Sequence, residues 1–87
     1  MSVYLRATKT GFAKLLRSRG YDIPSIRSAW FSRCRGTAWL EWLDSAGNRR
    51  KATLTGAAGR PVFWVDRALA AEISMTEVIH FGLYTEK

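Results

Sequence analysis

Two alternating stretches joined by a turn, residues 37–43 and 49–55, constrain the fold more than any other part of the sequence. Within each stretch, apolar side chains recur at every second residue, which is the period of a β-strand with one buried face. The residues between them, 44–48, are small or polar, as in hairpin loops. We therefore predict an antiparallel hairpin with two unlike faces. Its buried face comprises Ala38, Leu40, Trp42, Ala52 and Leu54, and its opposite face comprises Thr37, Trp39, Glu41, Arg49, Lys51, Thr53 and Thr55.

The residues before the hairpin predict a helix and a further strand. Residues 9–19 carry an apolar stripe of Phe12, Leu15 and Leu16 at helical spacing, and Gly20 supplies the left-handed turn that ends a helix. A strand from Ile26 to Arg33 joins the hairpin through a turn at residues 35–36. Residues 26–55 thus form a three-stranded antiparallel meander.

The last third of the chain is harder to interpret from its pattern. Residues 62–65 are apolar and predict either a strand or the approach to a helix. Asp66 is a suitable N-cap for a short helix over residues 67–73, with a break at 74–76. The apolar residues 78–84 then predict a buried strand that pairs with an N-terminal strand at 3–7. In the alternative, the helix continues towards His80. The expected order is β-α-β-β-β-α-β, an α+β fold in which residues 1–87 form one small domain.

Several functional classes are excluded by single residues. Cys34 is the only cysteine and His80 the only histidine, so the chain has neither a disulfide nor a cysteine-rich zinc site. No spacing brings Cys34 and His80 together as a nucleophile and its base. No apolar run of about 18 residues predicts a membrane helix, and the N-terminus does not resemble a signal peptide. We expect a cytoplasmic, non-enzymatic protein without a cofactor or metal.

The charge is strongly positive and unevenly distributed. The formal net charge is +7, and residues 1–60 contain 12 Lys and Arg against three Asp and Glu. Ten of the 14 cations are arginine, whose planar donors match phosphate groups and base edges. This composition favours a polyanionic partner. GC-rich coding DNA would also produce an arginine-rich chain without one.

Three groups of residues are candidates for that contact. The first is the hairpin, which presents Trp39 beside adjacent cations. The second is the arginines of the preceding strand and turn, and the third is the outer face of the first helix. The candidate nucleic-acid-binding residues are Arg27, Arg33, Arg35, Trp39, Arg49, Arg50, Lys51, Lys14 and Arg17. In the alternative interpretation these cations are solvated and the tryptophans belong to cores on the two sides of the sheet.

The meander over residues 26–55, with its arginines and tryptophans, resembles the three-stranded DNA-binding sheets of Apetala-type and integrase arm-binding domains. That resemblance implies a sheet placed in the major groove. The order of helix, sheet and helix is also similar to HicA-type RNA-cutting toxins. Those use a histidine on the sheet, whereas residues 1–79 contain none.

The leading hypothesis is a small basic protein that binds DNA or RNA through an arginine-rich sheet surface. The alternative is an inhibitor of phage or plasmid type, similar to anti-CRISPR proteins, whose basic surface meets an acidic protein surface. An RNA-cutting toxin is a third and weaker hypothesis. An edge strand also allows a homodimer, although nothing in the sequence requires one.

Overall fold

The computed structural model describes residues 3–5, 9–31, 37–56 and 60–86, and the predicted α+β class is confirmed. Two helices accompany the strands within these ranges. In chain order the elements are β1 (Val3–Leu5), α1 (Lys9–Ser18), β2 (Ser25–Phe31), β3 (Thr37–Leu43), β4 (Arg49–Thr55), β5 (Val62–Val65), β6 (Ala68–Glu72), α2 (Met75–His80) and β7 (Tyr84–Glu86).

The main sheet has five antiparallel strands in the order β2-β3-β4-β5-β6. The predicted meander is present as β2, β3 and β4, and β5 and β6 extend it by two strands that the expected order lacked. β1 and β7 form a separate two-stranded sheet in which Val3 lies opposite Glu86 and Leu5 opposite Tyr84. The N- and C-terminal strands therefore pair, as expected, but they do not close the main sheet.

Helix α1 ends as its sequence predicts. Gly20 has a φ of +93°, a left-handed conformation that glycine adopts without steric cost. The amide of Gly20 donates to the Arg17 carbonyl at 3.0 Å, and the amide of Tyr21 donates to the Leu16 carbonyl at 3.1 Å. These two hydrogen bonds form a Schellman motif. The motif turns Tyr21 back over the sheet, where its ring meets the edges of Trp42 and Phe63.

A single core lies on one face of the main sheet. Both helices contribute to it, through the apolar stripe of α1 and through Val78 of α2. The buried sheet residues alternate along the strands, as predicted for the hairpin. The core contains Phe12, Ala13, Leu15, Leu16, Ile23, Ala38, Leu40, Trp42, Ala52, Leu54, Phe63, Val65, Ile73, Val78 and Leu83.

The predicted helix over residues 67–73 is wrong. Asp66 and Arg67 have φ angles of +50° and +70°, and Val65 pairs with Ala68 across them. They form a two-residue hairpin loop of the kind that requires positive φ at both positions. The Asp66 carboxylate accepts hydrogen bonds from the Lys51 amide at 3.1 Å and from Arg50 Nε at 2.5 Å. It therefore joins β4 to the turn instead of capping a helix.

The predicted strand at 78–84 is wrong, because residues up to His80 are helical, as in the alternative. That helix does not continue from residues 67–73, however, and it begins at Met75, inside the predicted break. Ser74 caps α2: its hydroxyl accepts from the Glu77 amide, and the Glu77 carboxylate accepts from the Ser74 amide. This reciprocal capping box starts the helix where a break was expected. His80 is consequently exposed in the last turn of α2 and does not lie in a strand. The C-terminal strand is confined to β7.

The two helices are joined by an ion pair between Arg19 and Glu77. Arg19 donates to both carboxylate oxygens, with Nη2 2.7 Å from Oε1 and Nε 3.0 Å from Oε2. A third bond runs from Arg19 Nη2 to the Glu72 carbonyl at 3.1 Å. The Arg19 hydrogen bonds hold the pKa of Glu77 below its ordinary value of 4.5. Ionised Glu77 thus stabilises the folded state above that pH, and the stabilisation disappears as pH falls through the lowered pKa.

We expect the Glu77→Gln variant to lose the stabilisation that ionised Glu77 gains from Arg19, whereas glutamine can still form the capping box with Ser74. The free energy of unfolding should fall by up to ~1 kcal/mol near neutral pH, as for a partly exposed ion pair. The difference from wild type should shrink as pH falls below 4.5, and it should vanish once Glu77 is protonated in both the folded and the unfolded state. Urea unfolding over this pH range measures it, with Glu72→Gln as the control for charge alone. A constant difference at all pH values would mean that the ion pair does not stabilise the fold.

We expect Arg67→Gly to stabilise the protein by about 1 kcal/mol, because a left-handed conformation disfavours a residue with a Cβ by roughly that amount. Asp-Gly is also a preferred pair for this type of hairpin loop. Ala68→Gly is the matched control, since glycine inside a strand lowers stability by about 0.5–1 kcal/mol. Urea unfolding shows whether each variant has a higher or a lower free energy of unfolding than wild type. Destabilisation by Arg67→Gly would contradict the turn geometry.

Candidate functional site

In the described part of the chain, no helix covers the second face of the main sheet, which we call the open face. One line of directly opposed residues crosses it from β2 to β6. Trp30 pairs with Trp39, Trp39 with Thr53, Thr53 with Trp64, and Trp64 with Leu69. Strands lie about 4.8 Å apart, so this cross-strand row extends for about 19 Å.

The side chains of the row are accessible to different degrees. Trp30 is 45% exposed and Leu69 is 64% exposed, whereas Trp39 and Trp64 are half-buried. Trp42, in contrast, is fully buried in the core. The alternative in which Trp30, Trp39 and Trp42 belong to cores on the two sides of the sheet is therefore wrong for the exposed Trp30. Trp39 is half-buried, on a face that no described helix covers. Both helices lie on the Trp42 side and leave the open face uncovered.

Lys51 places a positive charge directly above the row. Its Nζ lies 4.9 Å from the centroid of the Trp39 ring, a cation–π distance. Arg49 lies two residues earlier on the same face and is exposed. The adjoining turn is ordered by Asp44, whose Oδ1 accepts the amides of Ala46 at 3.0 Å and Asn48 at 2.9 Å. The predicted association of Trp39 with Lys51 on one face is therefore present.

The other predicted cations of the sheet are already paired. Alternation along β4 sends Arg50 to the side opposite Lys51, and its Nε donates to the Asp66 carboxylate in the β5–β6 turn. Arg27 lies at a bulge in β2, and its Nε is 3.6 Å from a carboxylate oxygen of Glu41. Arg49, Arg50 and Lys51 are thus consecutive in sequence but do not form one cluster of available charge.

The predicted helix residues lie away from the open face. Arg17 donates from Nε and Nη2 to the Ile23 carbonyl, at 3.0 and 2.7 Å, and so holds the loop after α1. Lys14 is exposed on α1, which packs on the Trp42 side of the sheet. Helix and hairpin therefore do not form one continuous positive surface. The predicted sites Arg33 and Arg35, and also Cys34, lie outside the described residues.

Two contributors to the open face were missed from the sequence. Trp64 belongs to β5, whose four residues are too few to separate a strand from a helix by periodicity. Arg67 lies in the β5–β6 turn that was predicted to be helical. The sequence signal for Trp64 was present, since Phe63 and Trp64 alternate between the core and the other face.

The described residues contain no group of three or more side chains that could hold a metal ion. His80 is exposed, and its ring packs edge-on against Phe81 with the centroids 4.7 Å apart. No helix in these ranges is long and apolar enough to span a membrane.

Comparison of the chain with protein-family models, with curated proteins and with solved structures finds no match.

Proposed function

We propose that this protein is a non-enzymatic domain that binds single-stranded nucleic acid on the open face of its β-sheet. The observation that carries the proposal is the cross-strand row, in which three tryptophans lie in register beside Lys51. Exposed aromatic rings flanked by cations are the usual means of holding single strands, because every base has a face that stacks. The net charge of +7 suits the same partner.

The dimensions of the sheet favour an unpaired strand over a duplex. A three-stranded sheet is about 10 Å across between its outer strands, which suits a major groove about 12 Å wide. The present sheet has five strands, which are about 19 Å across. A sheet of this width is too broad for its open face to fit into the major groove. Moreover, paired bases are stacked on one another and do not offer their faces to a ring.

Accessible cations at the open face would hold the backbone of such a strand. Lys51 and Arg49 share that face, whereas the Glu41 carboxylate on the same face is partly neutralised by Arg27. A strand whose bases lie on Trp30 and Trp39 would therefore have its phosphates near positive charge. Its affinity should fall steeply as salt is added, because phosphate contacts release counterions.

The runner-up is an inhibitor that binds an acidic protein surface through the same face. Leu69 favours it, because this aliphatic side chain ends the row and is 64% exposed. An aliphatic side chain does not stack on bases as a ring does. Binding experiments with nucleic acids separate the two proposals, because the inhibitor has no need of bases.

We expect Trp30→Ala to weaken binding of oligothymidylate roughly 5- to 150-fold, from the stacking of one base. Fluorescence anisotropy with a labelled oligonucleotide measures the dissociation constant. Ile79→Ala is the matched control, since Ile79 is an exposed apolar residue of α2. Equal affinities for wild type and Trp30→Ala would exclude Trp30 as a stacking residue. Preference for duplex DNA over the single strand would contradict the proposed mode.

We expect the pair Arg49→Glu and Lys51→Glu to weaken binding far more than the pair Lys9→Glu and Lys14→Glu. Both double variants change the net charge equally, but the second pair lies on α1, across the sheet from the row. Titrations at about 50 and 200 mM salt separate local contacts from overall charge. Equal losses would show that no particular face is used. If wild type binds no nucleic acid at about 50 mM salt, the inhibitor becomes the better proposal.

A further inference from the structure

A depression of about 330 Å³ adjoins the cross-strand row at the β5–β6 turn. It is lined by Lys51, Thr53, Asp66 and Arg67. Thr53 is itself a member of the row, between Trp39 and Trp64, and Lys51 lies over the Trp39 ring. The depression and the stacking surface are therefore parts of one continuous site.

The lining of the depression suits an anion. Lys51 and Arg67 carry positive charge, and Thr53 carries a hydroxyl donor. Among the described residues of the lining, Asp66 is the only carboxylate, and it already accepts from Arg50 Nε and from the Lys51 amide. Arg67 makes no hydrogen bond or ion pair to any described residue. Its planar guanidinium is thus available for the paired hydrogen bonds that it forms with phosphate oxygens.

Arg67 also occupies a position where its backbone is strained. Its φ of +70° lies in the left-handed region, which glycine adopts without a Cβ clash. No hydrogen bond or ion pair of the Arg67 side chain to a described residue offsets the strain. Strained residues with an exposed polar side chain are found at ligand-binding positions, where the side chain's use outside the fold accounts for them.

We infer that this depression holds one phosphodiester of a bound strand, with Arg67 as its principal ligand and Lys51 and Thr53 beside it. The inference rests on the proposed function and extends it. It assigns the phosphate backbone of the bound nucleic acid to the β5–β6 turn and the bases of that nucleic acid to the cross-strand row. A free phosphate ion has the same chemistry, so the test separates the two sources.

The test exploits opposite effects of one substitution. Arg67→Gly relieves the backbone strain and should raise the midpoint of thermal unfolding, yet it should weaken oligothymidylate binding about tenfold. The slope of log affinity against log salt should fall by about 0.7, the value for one phosphate contact with a single strand. Arg67→Gln removes the charge but keeps a Cβ, so it should weaken binding without the gain in stability.

Arg60→Gln is the matched control, because Arg60 is exposed at the opposite end of β5. It removes the same charge and should leave the salt slope unchanged. Equal losses in Arg67→Gln and Arg60→Gln would overturn the inference while leaving the proposed function intact. Failure of wild type to bind any oligonucleotide would instead overturn the proposed function.

Inorganic phosphate alone distinguishes the two sources of the anion. Titrated at constant ionic strength and followed by the amide resonances of Lys51, Thr53 and Arg67, it should produce no saturable shift below about 10 mM, because a single ion lacks the stacking that holds a strand. Saturation at lower concentration, lost in Arg67→Gln, would assign the depression to free phosphate and overturn its assignment to a strand.

Discussion

The rest of this structure depends on one constraint: the two described helices are too short to cover both faces of the five-stranded sheet. The described helices have ten and six residues, about 15 and 9 Å in length, and neighbouring helices pack roughly 8–10 Å apart. Two helices at that spacing can cover one face of a sheet that is about 19 Å across, but they cannot cover both faces. Arg19 and Glu77 fasten the end of α1 to the start of α2, which keeps both on the Trp42 side. The open face follows from this arrangement.

The character of the open face suggests what would cover it. The cross-strand row has exposed Trp30 and Leu69 at its ends and half-buried Trp39 and Trp64 between them. This favours the proposed interaction surface, since folded proteins rarely expose contiguous apolar area without a use. Lys51 and Arg49 on the same face favour a negatively charged partner over an apolar protein surface. The width of the sheet then favours single-stranded nucleic acid over a duplex, because a major groove accommodates a three-stranded β-sheet more readily than a five-stranded one. Stacking and charge thus favour the same class of ligand for independent physical reasons.

Sequence reasoning succeeded where the signals were local. The period of residues 37–55 and the glycine after α1 predicted the hairpin and the Schellman end, because each depends on neighbours within a few residues. It failed over residues 66–73, and it left residues 74–80 open between strand and helix. Aspartate is favoured both as an N-cap and in left-handed turns, and the alanine-rich residues 68–72 have helical propensity that pairing with β5 overrides. The capping box of Ser74 and Glu77 was readable from spacing alone and was overlooked.

For the candidate site, the sequence by itself determined which side chains share a face of β3 and β4. Trp39 and Lys51 lie together because alternation is a property of the extended strand. The tertiary structure alone decided that no described helix covers this face and that Trp30 and Trp64 join it in register. It also decided that Arg27 pairs with Glu41 and Arg50 with Asp66. These features depend on where helices pack and on which strands become neighbours. Residues far apart in sequence make those contacts, so no local pattern records them.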